Sequence, residues 1–133
     1  MGYLVYNVLT TLAFLVALPV LPLLLLGGER FRAGFWQRLG WYSFDSAITS
    51  QAPRPLWIHA ASVGEVRSVR ALSEQLKRRF PDRAIILSTL THTGNLTARQ
   101  NPVIDRVIYL PLDLWWTVRR ALGVFDPAVL IFI

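Results

Sequence analysis

At 133 residues the chain has room for about one domain, and a long apolar run near its start leaves only a small remainder for a soluble core. The formal net charge is +6, from 14 Lys plus Arg against 8 Asp plus Glu, and all but one of the cations are arginine, whose planar fork suits bidentate phosphate contacts. These residues are spread over several elements without a recognised nucleic-acid motif, which argues against a nucleic-acid partner and for anionic lipid headgroups. There is no cysteine, so no disulfide points to an oxidising compartment.

Tyr3 to Leu26 is a run of 24 residues without a charge. As a helix at ~1.5 Å per residue it reaches ~36 Å, enough to span a bilayer core with some tilt. No Lys or Arg precedes the run and no small-x-small site follows Leu26, so it reads as an uncleaved single-pass anchor rather than a cleavable signal peptide. Pro19 and Pro22 weaken the last turns, which leaves a kinked or interface-lying helix as the alternative. Arg30, Arg32 and Arg38 follow closely, and the positive-inside rule then places the remainder in the cytoplasm. Glu29 to Tyr42 mixes arginine with Phe31, Phe35, Trp36, Leu39, Trp41 and Tyr42, a composition suited to the membrane surface or to packing on the domain that follows. Ser43 to Arg54 is polar and runs into Pro53-Arg54-Pro55, which reads as a linker. The expected division is an anchor over 1–28, a basic-aromatic segment and linker over 29–55, and an α/β domain over 56–133.

From Leu56 the elements alternate. Strands are expected at Leu56–Ala60, Ala84–Ser88, Arg106–Leu110 and Ala128–Ile133, with helices from about Glu65 to Arg79, Gly94 to Gln100 and Leu114 to Leu122. In the first helix Val66, Val69, Leu72 and Leu76 recur at three- and four-residue spacing, with Arg67, Arg70, Lys77 and Arg78 facing away. Continuous apolar runs such as Ile85-Ile86-Leu87 predict a Rossmann-like parallel sheet covered on both faces. The last apolar strand has no helix after it to cover it, so the sequence reads as truncated.

Ligands of open α/β sheets gather at the carboxyl ends of the strands. The first such end is His59-Ala60-Ala61-Ser62-Val63-Gly64-Glu65, where small residues clear space around one carboxylate. Glu65 is either a first-turn acid stabilised by the helix dipole or a general base that accepts a proton from a substrate hydroxyl. His59 reads as a hydrogen-bonded core histidine. The second end, Ser88-Thr89-Leu90-Thr91-His92-Thr93-Gly94-Asn95, is either an anion-binding loop or a helix cap through Thr93 or Asn95. At the third, Tyr109-Leu110-Pro111-Leu112-Asp113, the aspartate is expected to cap the helix that follows. No G-x-G-x-x-G, no P-loop, no metal-ligand spacing and no Asp-x-Asp pair is present, so no cofactor and no metal is expected.

Together the apolar run, the basic-aromatic segment, H-A-A-S-V-G-E, S-T-L-T-H-T-G and Y-L-P-L-D resemble the N-terminal part of the 3-deoxy-D-manno-octulosonic acid (Kdo) transferases of lipid A biosynthesis. The resemblance implies the N-terminal half of a two-domain GT-B inverting glycosyltransferase at the cytoplasmic face of the inner membrane. Such an enzyme moves Kdo from CMP-Kdo to a hydroxyl of the phosphorylated lipid A precursor without an obligatory metal. It implies Glu65 as general base, Ser62 and Gly64 around the acceptor, Thr89, Thr91, Thr93 and Gly94 lining the crevice, and Arg30, Arg32 and Arg38 facing lipid phosphates. The family's Glu-x-Glu motif and CMP-binding domain fall outside the sequence, and without them the chain is expected to be inactive. The competing class is a non-catalytic, membrane-tethered α/β module that binds acidic lipid or a partner.

Overall fold

The computed structural model describes residues 2–20, 22, 26, 28, 32–43 and 53–133. Helix α1 spans Gly2–Ala17 and tightens into a 3₁₀ turn at Leu18–Val20 around Pro19, which has no N–H to continue the α-helical ladder. Together they are long and apolar enough to cross a membrane by length and composition. The later part of the expected anchor, Arg30 and most of the expected linker lie outside the described residues.

Four strands, β1 Leu56–Ala60, β2 Ile85–Thr89, β3 Arg106–Tyr109 and β4 Val129–Phe132, form one parallel sheet in the order β3-β2-β1-β4. β1 and β2 are buried at every position, as continuous apolar runs require when both sheet faces are covered. Between them run α3 Val63–Arg79, α4 His92–Ala98 and α5 Trp115–Phe125, with a single-turn helix α2 at Phe35–Arg38 ahead of the sheet. One sheet face packs Ile58, Ala60, Ile85 and Leu87 against Val66 and Val69 of α3 and Ala98 of α4. The other packs Trp57, Ile86 and Ile108 against Ala121 and Phe125 of α5 and Tyr42.

The expected strands and helices are all found, with shifted ends, a different cap on α4 and two side chains, Asp113 and Lys77, placed otherwise than expected. α3 starts two residues earlier than the apolar periodicity indicates, because Ser62 supplies the cap. α4 begins at His92 rather than Gly94, capped by Thr91 rather than by Thr93 or Asn95. Asp113 does not cap α5: the N-cap position is Leu114, which makes no side-chain cap, and the Asp113 carboxylate accepts the Tyr6 hydroxyl instead. Lys77 does not face away from the fold, since its Nζ donates to Asp105 at 2.9 Å and to the Arg83 carbonyl at 3.1 Å, tying α3 to the loops at the amino ends of β2 and β3.

The basic-aromatic segment packs on the sheet. Gln37 Oε1 accepts the Tyr109 backbone N–H at 2.9 Å, the Leu112 N–H donates to the Arg38 carbonyl at 2.7 Å, and the Tyr42 hydroxyl donates to the Tyr109 carbonyl at 3.1 Å. Gly34 permits this approach: it sits at φ 70°, and a Cβ there would overlap the Tyr109 ring. Gly34→Ala is therefore expected to destabilise the fold by about 1–3 kcal/mol, the range for a non-glycine residue in the left-handed region. Urea unfolding of the detergent-solubilised chain checks this, and an unchanged midpoint would contradict it.

Candidate functional site

β1 is followed in sequence by β2 and β3 on one side, whereas β4 joins on the other, so the topological switch point lies between the carboxyl ends of β1 and β4. The loop leaving β1 there is Ala61-Ser62, and α3 begins at once. Ser62 and Glu65 make a reciprocal capping box: Ser62 Oγ accepts the Glu65 N–H at 3.3 Å, while Glu65 Oε2 accepts the Ala61 N–H at 2.6 Å and the Ser62 N–H at 3.1 Å. Those backbone donors, Ser62 first and then Ala61, hold the Glu65 carboxyl below its ordinary value, and the partly exposed group is ionised at neutral pH. Oε1 has no hydrogen-bond partner among the described residues. A Cβ on Gly64 would meet nothing nearer than Ser62 Oγ at 3.9 Å, so protein packing does not demand a glycine there.

His59, one strand position before the end of β1, is 6% exposed, with Nδ1 at 3.0 Å from Ser88 Oγ and 3.2 Å from the Ser88 carbonyl. Burial lowers its pKa despite the Ser88 contact, which favours the neutral ring. The same Ser88 hydroxyl takes the Trp57 indole N–H at 2.8 Å. His59 is thus a satisfied core histidine.

Ala60 of β1 is in register with Thr89 of β2, so the Ser62 and Thr91 loops leave the sheet side by side at the same edge. Thr91 Oγ1 accepts the Gly94 N–H at 3.0 Å, and a Cβ on Gly94 would approach that oxygen to 2.8 Å, so the cap itself selects glycine. Thr93 is exposed, with its hydroxyl 3.5 Å from Thr91 Oγ1. Thr89 and Asn95 are buried and bonded to each other at 3.3 Å, beneath the loop surface.

Arg38 reaches this edge from α2. Its guanidinium donates to the Leu90 carbonyl and lies over the Tyr109 ring, 4.7 Å from the centroid. The Tyr109 hydroxyl is in turn 3.0 Å from His92 Nδ1, and burial is the main cause that raises the Tyr109 phenol. Arg32 is exposed, and no side-chain bond ties it to this edge among the described residues. The fold therefore gathers Ser62, Gly64, Glu65, Thr91, Thr93, Gly94 and Arg38 along one sheet edge. The Arg38-Tyr109-His92 chain is a contact that spacing along the sequence does not signal. Among the described residues no group of three His, Cys, Asp or Glu side chains is placed to hold a metal ion.

A parallel sheet of this order, with an ionised carboxylate at the β1/β4 switch point, has the layout of the α/β domains that take ligands at the carboxyl ends of their strands. Residues 33–133 match the family described as 3-Deoxy-D-manno-octulosonic-acid transferase (kdotransferase), and the chain belongs to that family. It is 34% identical over 111 residues to the 3-deoxy-D-manno-octulosonic acid transferase of Haemophilus influenzae, covering 82% of this chain and 25% of that protein. It is 28% identical over 129 residues to the transferase of the same name from Chlamydia pneumoniae, covering 96% of this chain and 29% of the other. With that of Rickettsia felis it shares 30% over 118 residues, 79% of this chain and 25% of the other. The chain thus spans between a quarter and a third of the length of these relatives. No solved structure matches it.

Two outcomes test the geometry of the cap. Ser62→Ala is expected to cost about 1 kcal/mol of stability by orphaning the Glu65 N–H. Because the folded Glu65 pKa is depressed, its contribution to stability is fully present above the unfolded value near ~4.3 and is lost as pH falls through the folded pKa. The stability difference between wild type and Glu65→Ala should therefore shrink on acidification below about pH 4. Thermal unfolding across that range measures it, and a constant difference would show that the carboxylate does not hold the cap.

Proposed function

We propose that this chain is the acceptor-side half of a Kdo glycosyltransferase of lipopolysaccharide synthesis, a GT-B enzyme whose other domain binds CMP-Kdo. The reading rests on family membership together with one observation: the glutamate of S-V-G-E stands at the switch point of the sheet with one oxygen tied down and the other without a partner among the described residues. The acceptor is a phosphorylated lipid A precursor. Its hydroxyl oxygen forms the new bond to the anomeric carbon of Kdo, the bond from that carbon to the CMP phosphate breaks, CMP leaves with the electron pair, and the hydroxyl proton passes to Glu65 Oε1. The configuration at that carbon inverts.

A carboxylate with a depressed pKa is a weak base toward a ground-state hydroxyl. It accepts the proton once the attacking oxygen has begun to bond to carbon and has become acidic, so the phosphate leaving group supplies the driving force and Glu65 supplies the destination. Oε2, held by Ala61 and Ser62, fixes the direction of approach. Ser62 and Gly64 leave room for the acceptor, Thr91, Thr93 and Gly94 line its other side, and the basic residues Arg30, Arg32 and Arg38 are the cations assigned to its phosphates. The apolar N-terminal helix holds the domain at the cytoplasmic face of the inner membrane, where the arginines meet anionic lipid.

Glu65→Gln is the direct test, since the amide oxygen still accepts the cap bonds but the side chain no longer takes a proton. In the full two-domain enzyme, Kdo transfer is expected to fall by at least ~10²-fold with the fold and CMP-Kdo binding retained. Full activity would sink the assignment of the base. Equal affinity for ordinary anionic vesicles and for vesicles carrying lipid A precursor would instead favour a non-catalytic lipid-binding module.

A further inference from the structure

Helix α5 carries two stripes. Thr117, Ala121 and Phe125 are buried on the sheet, while Trp115, Val118, Arg119 and Leu122, again at three- and four-residue spacing, face α1. Between the two helices runs a groove of about 970 Å³, walled by Leu4, Val8 and Leu12 on one side and Val118 and Leu122 on the other. That volume lies at the upper end of the range for a small-molecule site. Arg119 places a cation on the groove wall, and Tyr3 and Trp115 flank it. Apolar walls and interfacial aromatics suit an acyl chain, and the exposed Arg119 offers a cation to an anionic headgroup, while the one carboxylate on the wall, Asp113, is engaged by the Tyr6 hydroxyl.

The contacts that make the groove also constrain the helix. The Tyr6 hydroxyl donates to Asp113, and the Phe14 ring meets Trp116 edge-on at 6.1 Å between centroids. Tyr6 and Phe14 are about 12 Å apart along the axis at ~1.5 Å per residue, so these two contacts tether α1 to the domain at two points, with no residue of the helix buried. If α1 crossed the bilayer with these contacts kept, Asp113 and the exposed Arg119 would sit in hydrocarbon. Isolated charges at that depth are strongly disfavoured. An interfacial helix beside α5 keeps both contacts and leaves those charges at headgroup level.

We propose that α1 lies in the plane of the membrane interface against α5, and that the groove between them holds an acyl chain of an anionic membrane phospholipid with its phosphate at Arg119. This does not depend on the transferase reading. It replaces a transbilayer anchor with a monotopic one and makes the groove a lipid site.

Because the chain has no cysteine, Gly2→Cys, at a position where a side chain meets nothing within 4 Å, reports the side on which α1 starts. In sealed inside-out inner-membrane vesicles a membrane-impermeant maleimide is expected to label Gly2→Cys as it labels Arg78→Cys on the exposed face of α3. Labelling only from the periplasmic face of spheroplasts, or from neither face, overturns the in-plane helix. For the groove, nanodiscs carrying phosphatidylglycerol with a photoreactive diazirine on its acyl chain are irradiated and the attachment sites mapped by mass spectrometry. Attachment at Val118 and Leu122 is expected, with about fivefold less from the matching phosphatidylcholine probe, the ratio that ~1 kcal/mol per interfacial arginine gives. Arg119→Gln is expected to abolish that preference without changing the far-ultraviolet circular dichroism. Attachment confined to α1, or equal yields from the two lipids in the wild-type chain, overturns the lipid site.

Discussion

Everything in this domain is organised around the central position of β1. It pairs with β2 on one edge and β4 on the other, and its side chains are buried on both faces, so Leu56–Ala60 has no exposed surface and one way to leave the sheet. Parallel pairing on both sides sends the chain in opposite directions from β1, and that divergence opens the crevice into which the β1 loop emerges. Had β4 added beyond β3, the same S-V-G-E loop would have emerged between two helices on the same side of the sheet, with no gap for a ligand.

Within that crevice the residue proposed as the base also serves the fold. Glu65 closes the capping box through Oε2, which satisfies two backbone donors at the start of α3 and fixes the carboxylate in place. The bonds that fix it also depress its pKa, so rigidity comes at the expense of basicity. Such a group suits a reaction in which the leaving group is good and the proton is lost late. It would be a poor choice for extracting a proton from an unactivated hydroxyl. The neighbouring Thr91 cap follows the same economy, using a hydroxyl and a glycine N–H to start α4 at the same edge.

Contact with the N-terminal helix falls on α5. One of its stripes completes the second core cluster through Ala121 and Phe125, and the other offers Trp115, Val118 and Leu122 to α1. Arg38 links the two regions, since its carbonyl takes the Leu112 N–H ahead of α5 while its guanidinium bonds the Leu90 carbonyl beside the Thr91 loop. The α5 side of the domain and the loops at the carboxyl edge of the sheet are therefore joined through a few residues at the carboxyl end of β3.

The amino-acid sequence by itself determined what depends on local periodicity and turn chemistry. The alternation of strands and helices, the parallel sheet and the apolar N-terminal helix follow from runs such as Ile85-Ile86-Leu87 and from the spacing of Val66, Val69, Leu72 and Leu76, because these patterns report burial within a single element. The position of Glu65 at the end of β1 was legible for the same reason. Helix starts were not: Ser62 and Thr91 cap before the apolar periodicity begins, and Asp113, a good cap by residue type, is drawn away by Tyr6, 107 residues distant. Strand order, the partner of Lys77, the stacking of Arg38 on Tyr109 and the groove between α1 and α5 were decided only by the tertiary structure. Each depends on residues far apart in the chain, and nothing in a segment's own composition records which distant segment will lie beside it.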